Sequence, residues 1–553
     1  MGLSANADSV RSNRRWELAA LSLLLLACLW LAWTRRFIQD DAFISLRYSR
    51  NLARGLGLVF NPDERVEGYT NFLWTVWLSV PFRLDIDPVL FSFASGMAAF
   101  AGVLLLAVRL TRLLLPASSA APFLVLALLG ANHTFSSFAT GGLETMLQTL
   151  CALAALEVLV GGGLRPGRVA TASILAALAV LTRPDSPLLL LPCLIVGAGR
   201  LRSLDARERA AVSIAAILPA ALLIGGWVIW KVGFYGSLLP NTLYVKTERI
   251  SCLQGLVYTG SFAIRYLLVF LVPLAVSDWV RRVRESSATT RAVWMGIGTG
   301  TVAWLGYVIA LGGDFMEYRY LVPVLPWTVV LVTAGLLRLR TVARAVMIMA
   351  LVVAGFLSPL WPAFPGAPVP LRDLAGLTSD WQRTGRALSK LAGAEPPVVI
   401  GVTAAGAVPF YSDLESVDLL GLNDAWIAHH GIPIPSRYGF LGSAPGHALI
   451  ATPEYLDRRG VHLLLNHPWL TPDRRPEGQV CTRAEIAGWP YYSVSWRGHA
   501  FPRHARLLEI PVDAGTNLLV LQLRAHPAAD SAVASGRWRA FPIRDERMPQ
   551  DRE

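Results

Sequence analysis

Arg35-Arg36-Phe37-Ile38-Gln39-Asp40-Asp41-Ala42-Phe43-Ile44 follows directly on the first long apolar run, residues 16–33. Adjacent carboxylates are costly wherever a bilayer desolvates them, so they need either compensation or a task. The run before them comes after Arg11, Arg14 and Arg15 and has the profile of a signal peptide. However, Trp33-Thr34-Arg35-Arg36 offers no small-residue cleavage site, so a retained first helix is expected.

Outward from this point the pattern repeats. The chain has 553 residues, 54% of them hydrophobic and only 16% charged, with a mean hydropathy of +0.47. Soluble domains carry roughly a quarter charged residues, so the deficit points to a membrane protein. A net charge of +12 would suggest nucleic acid in a soluble chain. Here the arginines gather in short loops, at Arg112, Arg165, Arg168, 200–209, 281–291 and 338–344. The positive-inside rule accounts for that distribution and makes those loops cytoplasmic. The expected spans are then 17–34, 88–110, 121–132, 143–160, 169–182, 186–199, 211–230, 260–277, 292–312, 320–337 and 343–360, about eleven crossings.

Residues 72–82 are apolar but too short to cross, and are expected to form an interfacial helix anchored by Trp74 and Trp77. Residues 1–360 therefore read as a polytopic α-helical membrane domain with a long outer loop at 35–87. Beyond Trp361 the composition turns to Pro, Asp, Arg and His, and Val398-Val399-Ile400-Gly401-Val402 reads as a strand. A soluble α/β domain over 361–526 on the outer side is expected, followed by a polar, poorly ordered tail at 527–553. Cys252 and Cys481 fall in outer regions and could pair.

The outer segments carry the chemistry. For Asp40 and Asp41 the functional reading is a general base, since a carboxylate beside another acid at a desolvated surface can have its pKa raised toward working pH. The structural alternative is that one of them caps the helix starting near Ala42. The same loop holds Arg47, Glu67, Tyr69 and Asn71, and an outer arginine is explained either by a phosphate or by the loop's own acids. A second outer segment, Tyr235-Gly236-Ser237-Leu238-Leu239-Pro240-Asn241-Thr242-Leu243-Tyr244-Val245-Lys246, offers Asn241, Tyr244 and Lys246. Lys246 suits a lipid phosphate or simply snorkels. A third, Gly312-Gly313-Asp314-Phe315-Met316-Glu317-Tyr318-Arg319-Tyr320, has more charge than a turn needs, unless Asp314, Glu317 and Arg319 form an internal ion-pair cluster. Glu144 ends a span on the same side, and Arg183 and Asp185 read as satisfying each other around Pro184. His447 reads as structural.

No phosphate-binding glycine loop, dinucleotide fingerprint, Cys-rich metal spacing or HExxH motif is present, and the cytoplasmic loops are short. Elimination therefore favours a lipid-activated donor over a nucleotide sugar. No cofactor is indicated, although a divalent cation fits the acids; the metal question stays open.

The order of Asp40-Asp41, Phe60-Asn61-Pro62-Asp63-Glu64-Arg65-Val66-Glu67, Gly142-Leu143-Glu144, Tyr235 to Lys246 and Gly312 to Met316 resembles GT-C glycosyltransferases. Within these it is similar to the group that includes the mycobacterial terminal β-(1→2)-arabinofuranosyltransferase. Gly68-Tyr69-Thr70-Asn71 departs from that group's pattern, which bears on the sugar more than on the fold. The resemblance implies a polyprenyl-phosphate sugar donor, an envelope glycan or glycolipid acceptor, and inverting transfer on the periplasmic face of a bacterial inner membrane. It implies Asp40 or Asp41 as base, and Arg47, Lys246 and Arg319 around the donor phosphate. Glu67, Tyr69, Asn71, Glu144, Asn241, Tyr244, Asp314 and Glu317 then face sugar or acceptor. A transporter for lipid-linked sugars would instead place charges along the middle of spans, and a non-catalytic envelope protein of the same fold is the other rival.

Overall fold

The computed structural model describes residues 2–247, 251–362, 366–435, 448–468 and, apart from 469, 473, 490, 497, 498 and 500, residues 470–544. Side chains are described from residue 15 onward, except at 246, 247, 487 and 493. The chain divides into two compact units. One comprises Met1–Phe37, Val89–Trp230 and Cys252–Pro370; the other comprises Ile38–Pro88, Lys231–Ser251 and Leu371–Glu553.

The first unit is helical. Across the described residues, six helical stretches are long and apolar enough to cross a membrane: Arg15–Thr34, Pro88–Leu114, Ala206–Tyr235, Ala288–Ala310, Arg319–Leu336 and Thr341–Leu360. Shorter apolar helices include Ala121–Ala131, Thr145–Val160, Pro166–Thr182 and Leu191–Leu201. The architecture is that of a multi-pass membrane protein. Leu-rich runs make these helices and prolines punctuate them: Pro88, Pro122, Pro166, Pro187 and Pro192 all sit in first turns, where the missing N–H costs nothing.

Proline also interrupts two of the expected spans. The run 260–277 is two helices, Cys252–Arg265 and Val272–Glu285, joined through Leu267 at φ 56° and a short 3₁₀ turn. Pro273 cannot continue a helix but can start one, so the chain breaks before it. The run 186–199 is likewise split, into Ser186–Leu189 and Leu191–Leu201. Gly255 permits the tightest helix approach, since a Cβ there would lie 2.1 Å from the Ile309 carbonyl oxygen.

The second unit holds a mixed sheet of β1 (Val399–Val402), β2 (Glu415–Asp418), β5 (Leu463–Asn466), β6 (Leu470–Thr471), β7 (Cys481–Thr482), β8 (Arg506–Asp513), β9 (Thr516–Gln522) and β10 (Arg539–Arg544). A separate hairpin pairs β3 (Ile432–Pro433) with β4 (Leu449–Ile450). The order is β2-β1-β5-β9-β8-β10-β7, with β6 also on β9. β2, β1 and β5 are parallel; β9, β8 and β10 continue antiparallel. Every residue of β1 and β5 is buried, as parallel strands covered on both faces require.

Three expectations need correction here. The sheet continues beyond residue 526: Pro527–Ala534 is a helix, and β10 pairs with β8 and adds Phe541 to the core. A few buried apolar residues (Ala529, Ala532, Phe541) suffice to fold a segment whose composition looks like a tail. Residues 72–82 form two short helices, Phe72–Trp77 and Val80–Leu84, and Trp74 is buried in the protein while Trp77 is exposed. Residues 38–88 and 231–251 belong to the same compact unit as the sheet region, so the division does not fall at residue 360. Cys252 and Cys481 are both free thiols.

Candidate functional site

The Asp40–Asp41 pair opens the helix Asp40–Ala53. Gln39 is its N-cap and makes no side-chain cap, and both aspartates lie in the first turn. Asp40 reaches the turn after β1: its Oδ1 accepts the Ala407 N–H at 2.7 Å and its Oδ2 the Gly406 N–H at 3.1 Å. Asp40 is buried and Asp41 half-buried. Burial pushes the Asp40 carboxyl up to about 7; the Ala407 and Gly406 amides oppose the rise, and the Asp41 and Asp418 carboxylates add to it.

Asp418 ends β2 and is held in the same way, accepting from the Leu420 and Asn423 amides and from the Asn423 side chain. Burial raises it to about 6 against those donors. Neither the composition nor the spacing marked Asp418; its signal was an acid ending a buried strand, ahead of Leu419-Leu420-Gly421.

Arg47 is turned into the protein. Its guanidinium donates to the carbonyls of Phe60, Pro409 and Leu414 and to Asn61 Oδ1, and it is 3% exposed. Four of its five N–H donors are spent inside the unit, which turns this residue toward a structural role. Glu67 pairs with Lys231 at 2.8 Å, and burial lifts its pKa to about 7 against that cation. Tyr69 shares a 3.1 Å hydroxyl contact with Tyr235, whose own hydroxyl donates to the Leu58 carbonyl. Asn71 is tied to Ser45 and Thr75. Asn241 takes the Glu67 carbonyl through its backbone and the Gly421 and Leu422 carbonyls through its side chain. The ring of Tyr244 lies 4.5 Å from that of His429. Lys246 falls in the helix Asn241–Thr247, with its side chain outside the described residues, as is His447.

The remaining predicted residues lie in the helical unit. Arg183 bridges Glu144 at 2.8 Å and Asp185 at 2.8 Å, and Asp185 also accepts from Gln148 and Tyr307. Arg319 pairs with Asp314 at 2.8 Å. Both guanidinium groups lie against the Tyr320 ring, at 5.3 and 5.1 Å. Glu317 pairs with Arg265 at 2.8 Å, with His133 at 3.9 Å. The acids of the third segment are thus paired with cations, and Arg183 and Asp185 do satisfy each other. Among the described residues no three His, Cys, Asp or Glu side chains converge to hold a metal ion.

A family model described as a domain of unknown function, DUF8728, matches residues 370–509. The terminal β-(1→2)-arabinofuranosyltransferase of Mycobacterium tuberculosis is 29% identical over 334 residues, 53% of this chain and 51% of the relative. The enzyme of the same name from Corynebacterium glutamicum is 29% identical over 386 residues, 62% of this chain and 54% of the relative. The chain spans about half the length of the curated relatives it matches. ArnT from Cupriavidus metallidurans matches in two crystal structures, both at 13% identity. The apo state gives a TM-score of 0.55 over 92% of this chain and 98% of that one. The state bound to undecaprenyl phosphate gives 0.52 over 72% and 85%. By sequence the chain is similar to the terminal β-(1→2)-arabinofuranosyltransferases, and its fold is similar to that of ArnT.

Proposed function

We propose that the protein is a membrane glycosyltransferase that moves a sugar from a polyprenyl-phosphate carrier to a cell-envelope glycan or glycolipid, with inversion at the anomeric carbon. The names of its sequence relatives favour arabinofuranose as the sugar, and the undecaprenyl phosphate on ArnT favours the carrier class. The arginine-rich short loops favour a bacterial plasma membrane setting with about eleven crossings, the Asp40–Asp41 loop and the sheet region lying outside.

The observation that carries this reading is the state of Asp40. It is a buried carboxylate poised near neutral pH, held by neutral amides, on the first outer loop. As base it takes the proton from the acceptor hydroxyl. The freed oxygen attacks the anomeric carbon on the face opposite the phosphate. The carbon–oxygen bond to phosphate breaks, and the polyprenyl phosphate departs with the electron pair. Arg319 and Lys246 are the cations assigned to the departing phosphate, while Arg47 is left to the scaffold. Glu67, Asn71 and Asn241 act by holding the loops, and Tyr69 and Tyr244 of the same unit are the side chains offered to the sugar or acceptor.

Purified full-length protein in lipid nanodiscs, offered a panel of polyprenyl-phosphate sugars, tests the reading. Transfer with inverted anomeric configuration is expected, with loss of transfer in Asp40→Asn. Retained configuration, or full transfer in both Asp40→Asn and Asp41→Asn, refutes the mechanism. Movement of lipid-linked sugar across vesicles without any transfer would favour the transporter.

A further inference from the structure

We propose that the sheet-bearing region, matched as a domain of unknown function, serves as the positioning device for Asp40, through the backbone N–H groups of Gly406 and Ala407. This rests on the reading above that Asp40 is the base.

β1 runs into the turn Thr403–Gly406 and then the helix Ala407–Ser412, so the two amides lie beyond the carboxyl end of a parallel strand. Ligands of open α/β sheets are met at such ends. Here the occupant is a side chain of the chain itself. Each carboxylate oxygen of Asp40 takes one N–H, at 2.7 and 3.1 Å, which fixes its orientation while leaving a further lone pair on each oxygen for an acceptor proton. The fit is close: a Cβ on Gly406 would fall 1.9 Å from the Asp40 carbonyl oxygen and 2.7 Å from its carboxyl carbon.

The surrounding contacts hold the same register. Arg47 donates to the Pro409 and Leu414 carbonyls, Arg50 to the Phe410 carbonyl, and Asn61 to the Ser416 carbonyl. The helix bearing the aspartates is therefore fastened along residues 406–414 at several points, and Asn61 beyond it extends the contact to Ser416. The charged groups acting on Asp40 are the Asp41 and Asp418 carboxylates, both of which oppose its ionisation, so the amides are its principal counterweight. Neutral donors orient a carboxylate without fixing it in the charged form, as an arginine would.

Ala407→Pro removes one of these N–H donors at the first helical position, where proline is tolerated; Ala407→Gly at the same site keeps it. Gly406→Ala instead displaces the carboxylate by volume. In full-length protein, Ala407→Pro is expected to lower kcat about tenfold to a hundredfold with the donor KM within about twofold. Its acidic limb should move to higher pH, because the lost donor favoured the ionised carboxylate. Ala407→Gly keeps the N–H, so its acidic limb should stay at the wild-type pH. Whichever of Ala407→Pro and Gly406→Ala keeps the wild-type melting temperature serves as the probe. An unmoved acidic limb overturns the inference, and so does an equal shift in Ala407→Gly. If the wild type transfers nothing from any lipid donor, the functional reading fails instead and takes this inference with it.

Discussion

Two sets of buried acids are held by opposite means. In the sheet-bearing unit, Asp40 and Asp418 are held by backbone and amide N–H groups. In the helical unit, Glu144, Asp185, Asp314 and Glu317 are held by Arg183, Arg319 and Arg265. Burial opposes the charged form in both places, and a single cation does not always cancel it: Glu67 is lifted to about 7 even beside Lys231. For Asp185, burial is outweighed by Arg183 and the carboxyl stays below its usual range, whereas Asp40 ends near 7. An acid locked as an anion can shape a field or a fold. An acid poised near neutrality can take a proton and give it back, so Asp185 and Asp40 suit different work.

The largest test of that contrast is catalytic. Asp40→Asn keeps the shape and removes the base, and transfer should fall about 10²–10⁴-fold in a steady-state assay. Asp314→Asn keeps a neutral partner for Arg319 and should cost far less. Comparable losses in the two variants would erase the distinction.

The next effect is on stability. Arg183→Ala leaves Glu144 and Asp185 without their shared cation, and should destabilise by about 3–5 kcal/mol, read as a lowered melting temperature in detergent micelles. A change below about 1 kcal/mol would mean that these acids are not cation-dependent.

Smaller still is the pH dependence. Asp40, Asp418 and Glu67 all have raised values, so between about pH 4 and pH 7 the folded protein holds protons that the unfolded chain has released. Stability should therefore fall as pH rises through that window and level off above it. Asp40→Asn should flatten the slope by at most about 1.4 kcal/mol per pH unit. A slope of the opposite sign would show that the paired acids dominate.

The smallest expected effect is at the surface. Arg54 pairs with Asp413 where both side chains are well exposed, so Arg54→Ala should change stability by less than about 1 kcal/mol and leave transfer unchanged. A large loss would place that pair within the clamp around residues 406–416.

Composition, hydropathy and arginine spacing were enough to specify a multi-pass helical protein with a separate sheet, because burial in lipid or in a parallel sheet demands long apolar runs that a linear reading detects. The chemistry-bearing loops were legible for a related reason: charges beside spans stand out against that background. What the linear chain could not express was partnership. That Arg47 is consumed by carbonyls hundreds of residues away and that Phe541 draws a polar tail into the core depend on contacts distant in sequence. The opening acids show the same division. Their cost was visible in ten residues, but which one is gripped, and by what, was decided only when Gly406 and Ala407 folded against Asp40: a hydrogen bond depends on distance and angle, and those exist only in three dimensions.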